Sequence, residues 1–200
     1  MPDTASNVAA VVLAGGRSAR MGAINKLLVE IDGVAMIRRI VDSVARSQAA
    51  PLIVVTGFQH ERVRAALAGC AVRFAHNEEY AHGLSTSLRR GLQDVPAAAA
   101  GAVICLGDMP RLEAAHVDRL IDAFRRNRGE AICVPVYRHR RGNPVLWPRA
   151  YFAEMQSLSG DTGAKSLIER HRDRVVEVAM ADESVLSDID TPEDLKRFRE

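Results

Sequence analysis

The chain has 200 residues, 48% apolar and 26% charged, which suffices for a full core and excludes a disordered or fibrous class. With 27 Lys+Arg against 25 Asp+Glu the net charge is only +2, too even for nucleic acid to be the main partner. No apolar run approaches the ~20 residues of a membrane span, and three cysteines make no disulfide framework. A cytoplasmic protein is expected, with no nucleic acid and no membrane among its partners.

Val8 to Ala14 is an unbroken apolar run ending at Gly15-Gly16, the pattern of a strand buried on both faces of a parallel sheet. Helical spacing predicts a helix from about Val34 to Ser47, a strand over Leu52–Thr56, a helix over Gln59–Leu67 and a strand over Ala71–Ala75. Leu84–Gln93 reads as a helix, the alanines from Ala97 as a loop, Ala102–Leu106 as a buried strand and Glu113–Arg126 as an amphipathic helix. Further on come a strand over Ala131–Val136, a candidate strand over Asn143–Trp147, a helix over Lys165–Arg170 and a strand over Val175–Val178. Thr191-Pro192-Glu193-Asp194 opens the last helix, with Pro in its first turn and acids near its positive end. Strands alternating with helices predict one α/β domain over residues 1–200. Its architecture is a Rossmann-like three-layer sandwich on a mostly parallel, doubly wound sheet, with a mixed C-terminal part.

The segment from Leu13 to Gly22, LAGGRSARMG, follows the first strand directly. Glycines let such a loop turn tightly and aim backbone N–H groups at an anion. Arg17, Arg20 and Lys26 add full charges, a combination suited to a triphosphate. It is neither a Walker loop, since Ala23-Ile24 follows Gly22, nor GxGxxG, since Gly15 and Gly16 are adjacent. Asp108 follows a buried strand, where open α/β sheets bind ligands, and a carboxylate there suits Mg²⁺. The arginines at 138, 140 and 141 form a second basic cluster, suited to a small anion or to plain solvation. Scattered histidines show no metal spacing, and Trp147 reads as core.

The loop resembles the LA(A/G)Gx(S/A)xRMG…K signature of MobA-like nucleotidyltransferases. Asn25-Lys26-Leu27-Leu28 looks like the branch that handles molybdenum cofactor with CTP. The resemblance continues at Gly83 to Leu92, Leu106 to Pro110, Arg141 to Trp147, Gly160 to Lys165 and Asp188 to Leu195. It implies a Mg²⁺-dependent transfer of CMP, less readily GMP, from CTP or GTP to molybdopterin carrying molybdenum. A molybdenum hydroxylase or its maturation factor is the implied protein partner. It also implies catalytic roles for Lys26, Asp108 and Arg20. Nucleotide or acceptor contacts are implied for Leu13, Ala14, Gly15, Gly16, Arg17, Lys26, Ser85, Ser87, Asp108 and Asn143. The metal ligands are expected to be Asp108 and Asp190, with Asp188 on the same side of an extended segment. The Gly160–Lys165 loop is expected near the acceptor phosphate. The rival classes are a NAD(P)-dependent oxidoreductase on the same scaffold, a serine hydrolase and a non-catalytic cofactor carrier. Gly83-Leu84-Ser85-Thr86-Ser87 lacks the closing glycine that a hydrolase needs.

Overall fold

In a computed structural model, which describes residues 7–18, 21, 24–160 and 163–199, the first apolar run is a strand, β1 (Val8–Ala14), buried along its whole length. A two-stranded hairpin, β2 (Glu30–Ile31) with β3 (Val34–Ala35), comes next and leads into α1 (Met36–Ala45). The expected helix from Val34 therefore starts two residues late. Asp32 and Gly33 both take positive φ, 50° and 75°, and make the tight turn of the hairpin. There follow β4 (Leu52–Thr56), α2 (His60–Ala66), β5 (Arg73–His76), α3 (Leu84–Gln93), β6 (Gly101–Leu106) and α4 (Ala114–Arg126). The last third holds β7 (Ile132–Tyr137), β8 (Arg140–Arg141), β9 (Val145–Pro148), α5 (Phe152–Gln156), α6 (Lys165–Arg170), β10 (Val175–Ala179) and α7 (Pro192–Arg199).

The main sheet runs β10-β7-β9-β6-β1-β4-β5, with β8 paired to β7. β1 is parallel to both β4 and β6, and β4 is parallel to β5. β9 is inserted antiparallel between β6 and β7, which is the mixed part of the sheet. Side chains alternate across the strands. Val8, Ala10, Val12 and Ala14 of β1 pack with α1, α2 and α4, whereas Ala9, Val11 and Leu13 pack with α3, α5 and α6. That division makes three layers. Cys105 and Cys133 are buried in the first of the two cores, and burial pushes both thiols up to about 12.

From β1 the chain builds outward through β4 and β5, then returns to the other side of β1 with β6. Strand order reverses there, so the loops after β1 and β6 diverge and leave a crevice at their carboxyl ends. Among the described residues, no helix is long and apolar enough to cross a membrane.

Candidate functional site

The crevice is a cleft of about 510 Å³ between the loop after β1, the loop after β6 and the start of α3. Gly107 follows β6, and its N–H donates to the Leu13 carbonyl at 3.0 Å. A Cβ at position 107 would lie 2.9 Å from that oxygen, so glycine is what lets the two loops approach. Asp108 comes next and turns its carboxylate into the cleft.

Lys26 reaches the same point from a short 3₁₀ turn, Lys26–Leu28. Asn25, itself buried, caps that turn by accepting the Leu27 N–H at 3.1 Å, and donates to the Phe58 carbonyl at 3.4 Å. The Lys26 N–H donates to Ser18 Oγ at 3.2 Å. The backbone of Lys26 is thus fixed from two sides, and its ammonium lies 2.6 Å from Asp108 Oδ2 and 2.7 Å from Asp190 Oδ1. These three residues are 82 and 164 positions apart in the chain.

Asp190 is carried by the segment between a 3₁₀ turn, Glu183–Leu186, and α7. The Ile189 N–H donates to the Asp108 carbonyl at 2.9 Å, which ties this segment to the end of β6. Thr191 and Asp194 close a reciprocal cap on α7. Thr191 Oγ1 accepts the Asp194 N–H, and Asp194 Oδ2 accepts the N–H groups of Thr191 and Asp190. The capping role therefore falls to Thr191, and Asp190 faces the cleft. Asp188 is exposed, and its charge acts on Asp108 without a hydrogen bond to Lys26.

Burial works against the charge on Lys26. The Asp108 charge and the hydrogen bonds to both carboxylates outweigh it and hold the ammonium above its usual range. Burial also pushes the Asp108 carboxyl up, and together with the charges of Asp188 and Asp190 it outweighs the pull of Lys26. Asp108 Oδ1 is buried with no hydrogen-bond partner. Two carboxylates on one point, one with a spare buried oxygen, are hard donors that fit a divalent ion. Among the described residues no cluster of three or more His, Cys, Asp or Glu offers a fuller cage. Two protein ligands with the rest left to substrate phosphates and water is the Mg²⁺ pattern.

Of the residues singled out from sequence, Leu13, Gly15, Gly16, Arg17, Lys26, Ser87, Asp108 and Asp190 line this cleft. Ala14 is buried in β1 and does not line the cleft. Ser85 is fully buried, does not line the cleft, and leaves its Oγ without a partner. Asn143 lies instead in an adjoining cavity of about 310 Å³ that shares Leu13, Leu84 and Leu106 with the cleft. Trp147 is core, 1% exposed, yet it also forms part of that cavity's wall. Lys165 and Gly163 line it too, whereas Arg20, Asp161 and Thr162 lie outside the described residues. Arg141 is held there by Glu169 at 3.1 Å and Glu177 at 2.8 Å, so part of the second basic cluster is internally neutralised.

Sequence reasoning missed Asn77. It is 4% exposed, accepts the Glu79 N–H through Oδ1, and donates to Thr86 Oγ1 at 2.9 Å and Ser87 Oγ at 3.0 Å. Because Ser87 Oγ accepts from Asn77, its own proton can serve another acceptor, and Ser87 lines the cleft. A lone Asn before two Glu residues gives no sequence signal of this.

The profile of the MobA-like NTP transferase domain matches residues 10–175. A protein of Natronomonas pharaonis named probable molybdenum cofactor guanylyltransferase is 30% identical over 197 residues, covering 95% of this chain and 96% of its own. The bifunctional protein GlmU of Burkholderia lata is 34% identical over 119 residues, which is 59% of this chain and 26% of GlmU. Among solved structures, Rv0371c from Mycobacterium tuberculosis superposes with a TM-score of 0.86 at 32% identity, with 98% of each chain covered. Its complex with manganese superposes with a TM-score of 0.82 at 31% identity, covering 96% of this chain and 97% of that one.

Proposed function

The chain belongs to the MobA-like NTP transferase domain family, and on that premise we propose that it moves CMP from CTP to the phosphate of a molybdopterin-type acceptor carrying molybdenum, with release of pyrophosphate. The observation that carries this reading is the meeting of Lys26, Asp108 and Asp190 in the β1/β6 crevice, where the ammonium lies within 2.7 Å of an oxygen of each acid.

On this reading the acceptor phosphate attacks the α-phosphorus, a new P–O bond forms, and the bond to the β-phosphate oxygen breaks. The attacking oxygen is already ionised near neutral pH, so no side chain has to remove a proton. The work of the protein is alignment and charge stabilisation. Backbone donors after β1, with Arg17 and Lys26, neutralise the triphosphate and the departing pyrophosphate. Arg20 is proposed for the same role. Asp108 and Asp190 would hold a divalent ion, magnesium on this reading, which supplies further neutralisation of the phosphates. The cavity holding Asn143 and Lys165 is assigned to the acceptor, because it opens beside the cleft and combines an apolar wall with a cation.

The choice of CTP rests on the Asn25-Lys26-Leu27-Leu28 segment and on Ser87 in the cleft. Two observations favour GTP: Gly15, which gives the Leu13-Ala14-Gly15-Gly16 string the form common in the guanylyl branch, and the guanylyltransferase name of the Natronomonas pharaonis relative. No relative named above carries an oxidoreductase name, and the nicotinamide alternative has no support. Pyrophosphate release measured with CTP and with GTP, each with magnesium and the molybdenum-loaded acceptor, decides between the two. Faster release with CTP is expected. The reverse order assigns guanylyl transfer, and inactivity with both sinks the proposal.

A further inference from the structure

Lys26 presents one ammonium to two carboxylates that also fit a divalent ion. Its Nζ lies 2.6 Å from Asp108 Oδ2 and 2.7 Å from Asp190 Oδ1, so the point where the two acids converge is already served by a cation. A small divalent ion needs those oxygens at about 2.1 Å, which would put it within a few ångströms of Nζ. Repulsion between a double and a single positive charge at that range is large, even when partly screened. The two cations therefore exclude each other unless the side chain moves.

It has somewhere to go. The Lys26 backbone is fixed by Asn25 and Ser18, but a lysine's four-carbon stem is flexible. The same cleft, about 510 Å³, is walled by Gly15, Gly16 and Arg17, where the triphosphate is assigned. Phosphate oxygens there offer the ammonium a second set of anionic partners.

We propose that Lys26 is an internal competitor of the divalent ion for Asp108 and Asp190, and that a bound triphosphate draws it away and opens the two carboxylates. Lys26, besides its contact with the phosphates, then sets the order of binding. The ion alone binds weakly, because its apparent affinity is scaled by the small fraction of molecules whose carboxylates are open. Ion and triphosphate bind with positive coupling, and by linkage each strengthens the other equally. The inference rests on the metal assignment made above, and deepens it by giving Lys26 two alternating sets of partners.

The test is Mn²⁺ binding to the intact chain, followed by electron paramagnetic resonance without nucleotide or acceptor. Lys26→Gln is expected to bind Mn²⁺ more tightly than wild type, on the order of tenfold. Lys26→Arg keeps the charge and should stay close to wild type. Inorganic triphosphate, corrected for the ion it chelates in solution, should tighten Mn²⁺ binding in wild type and much less in Lys26→Gln. Adding Asp108→Asn to Lys26→Gln should abolish the gain. Equal or weaker Mn²⁺ binding by a folded Lys26→Gln overturns the competition. If that variant does not fold, lack of any tightening by triphosphate in wild type overturns it instead. None of these measurements involves turnover, so an enzyme inactive with CTP and GTP would defeat the functional proposal while leaving this one to its own result.

Discussion

The two carboxylates of the cleft are held in opposite ways. Asp108 lies one residue beyond a strand at the centre of the sheet, its side chain is 15% exposed, and the glycine before it is bonded to the end of β1. Asp190 is 35% exposed and rides on a strap that lies outside the sheet altogether. That strap is fastened at a few points. The Ile189 N–H bonds to Asp108, the Ile189 side chain packs with Ile31 and Met36, and the Thr191–Asp194 cap fixes the backbone behind Asp190. One acid is thus positioned by the whole fold and the other by a handful of local contacts. Their contributions to catalysis, and their sensitivity to changes nearby, should differ accordingly.

The largest effect is expected from Asp108→Ala. Turnover should fall roughly 10³-fold, as when a preorganised electrostatic element is removed from a transition state, with the melting temperature nearly unchanged. A fall of less than about tenfold would remove the basis for calling this acid central. Asp190→Ala should cost less, roughly 10²-fold, and much of that loss should be recovered at high Mg²⁺ or Mn²⁺. Equal losses in both variants, neither responsive to metal, would show that the strap is as rigid as the sheet.

The same contrast marks what was legible in the sequence. β1, β4 and β6 are buried on both faces, so they appear as unbroken apolar runs, and Asp108 stands out because it follows one of them. The helices α1, α3 and α4 show through their one-sided apolar periodicity. The β2–β3 hairpin did not, because Val34 and Ala35 continue into the apolar start of α1 and read as its first turn. The Asp32-Gly33 pair was the available signal, and it was outweighed by that run. α5 has five residues, too few for any period to register. β9 was visible as a strand, but its insertion against the direction of β6 and β7 depends on partners that no local pattern encodes. Asp190 was readable only through its motif. That Asp108 and Asp190 converge on Lys26 is a tertiary fact, across 82 and 164 residues.

A smaller effect is expected one step behind the strap's carboxylate. Asp194 accepts three hydrogen bonds from the Asp190–Thr191 stretch: the two N–H groups and the Thr191 hydroxyl at 2.8 Å. Asp194→Ala frees that stretch without touching the cleft. Metal affinity measured in the presence of CTP should weaken by about tenfold, the scale of outer-layer supports, while nucleotide affinity without metal stays the same. A change in nucleotide affinity alone would mean that α7 serves the cleft by some route other than Asp190.

The smallest effect is expected at Asp182, which caps the 3₁₀ turn leading into the strap. Hydrogen bonding to Ser184 holds its carboxyl below the usual range, and burial offsets this in part, while His116 adds to the lowering. The Glu113 N–H donates to His116 Nδ1 at 3.0 Å, so Nε2 carries the proton that faces Asp182 Oδ2 at 3.3 Å. This links the strap to the start of α4. A carboxyl whose folded pKa is lowered adds stability that is present above its unfolded value, about 3.9, and is lost as the pH falls through the folded value. Asp182 is half exposed, 53%, so solvent screens the interaction and the effect is small. Asp182→Asn should melt slightly below wild type at pH 6, and the two curves should merge as the pH is taken below the usual carboxylate range. A gap of constant size to below that range would mean that the shape of Asp182, and not its charge, anchors the strap. The strap would then keep its hold on Asp190 in acid for as long as the sheet itself survives.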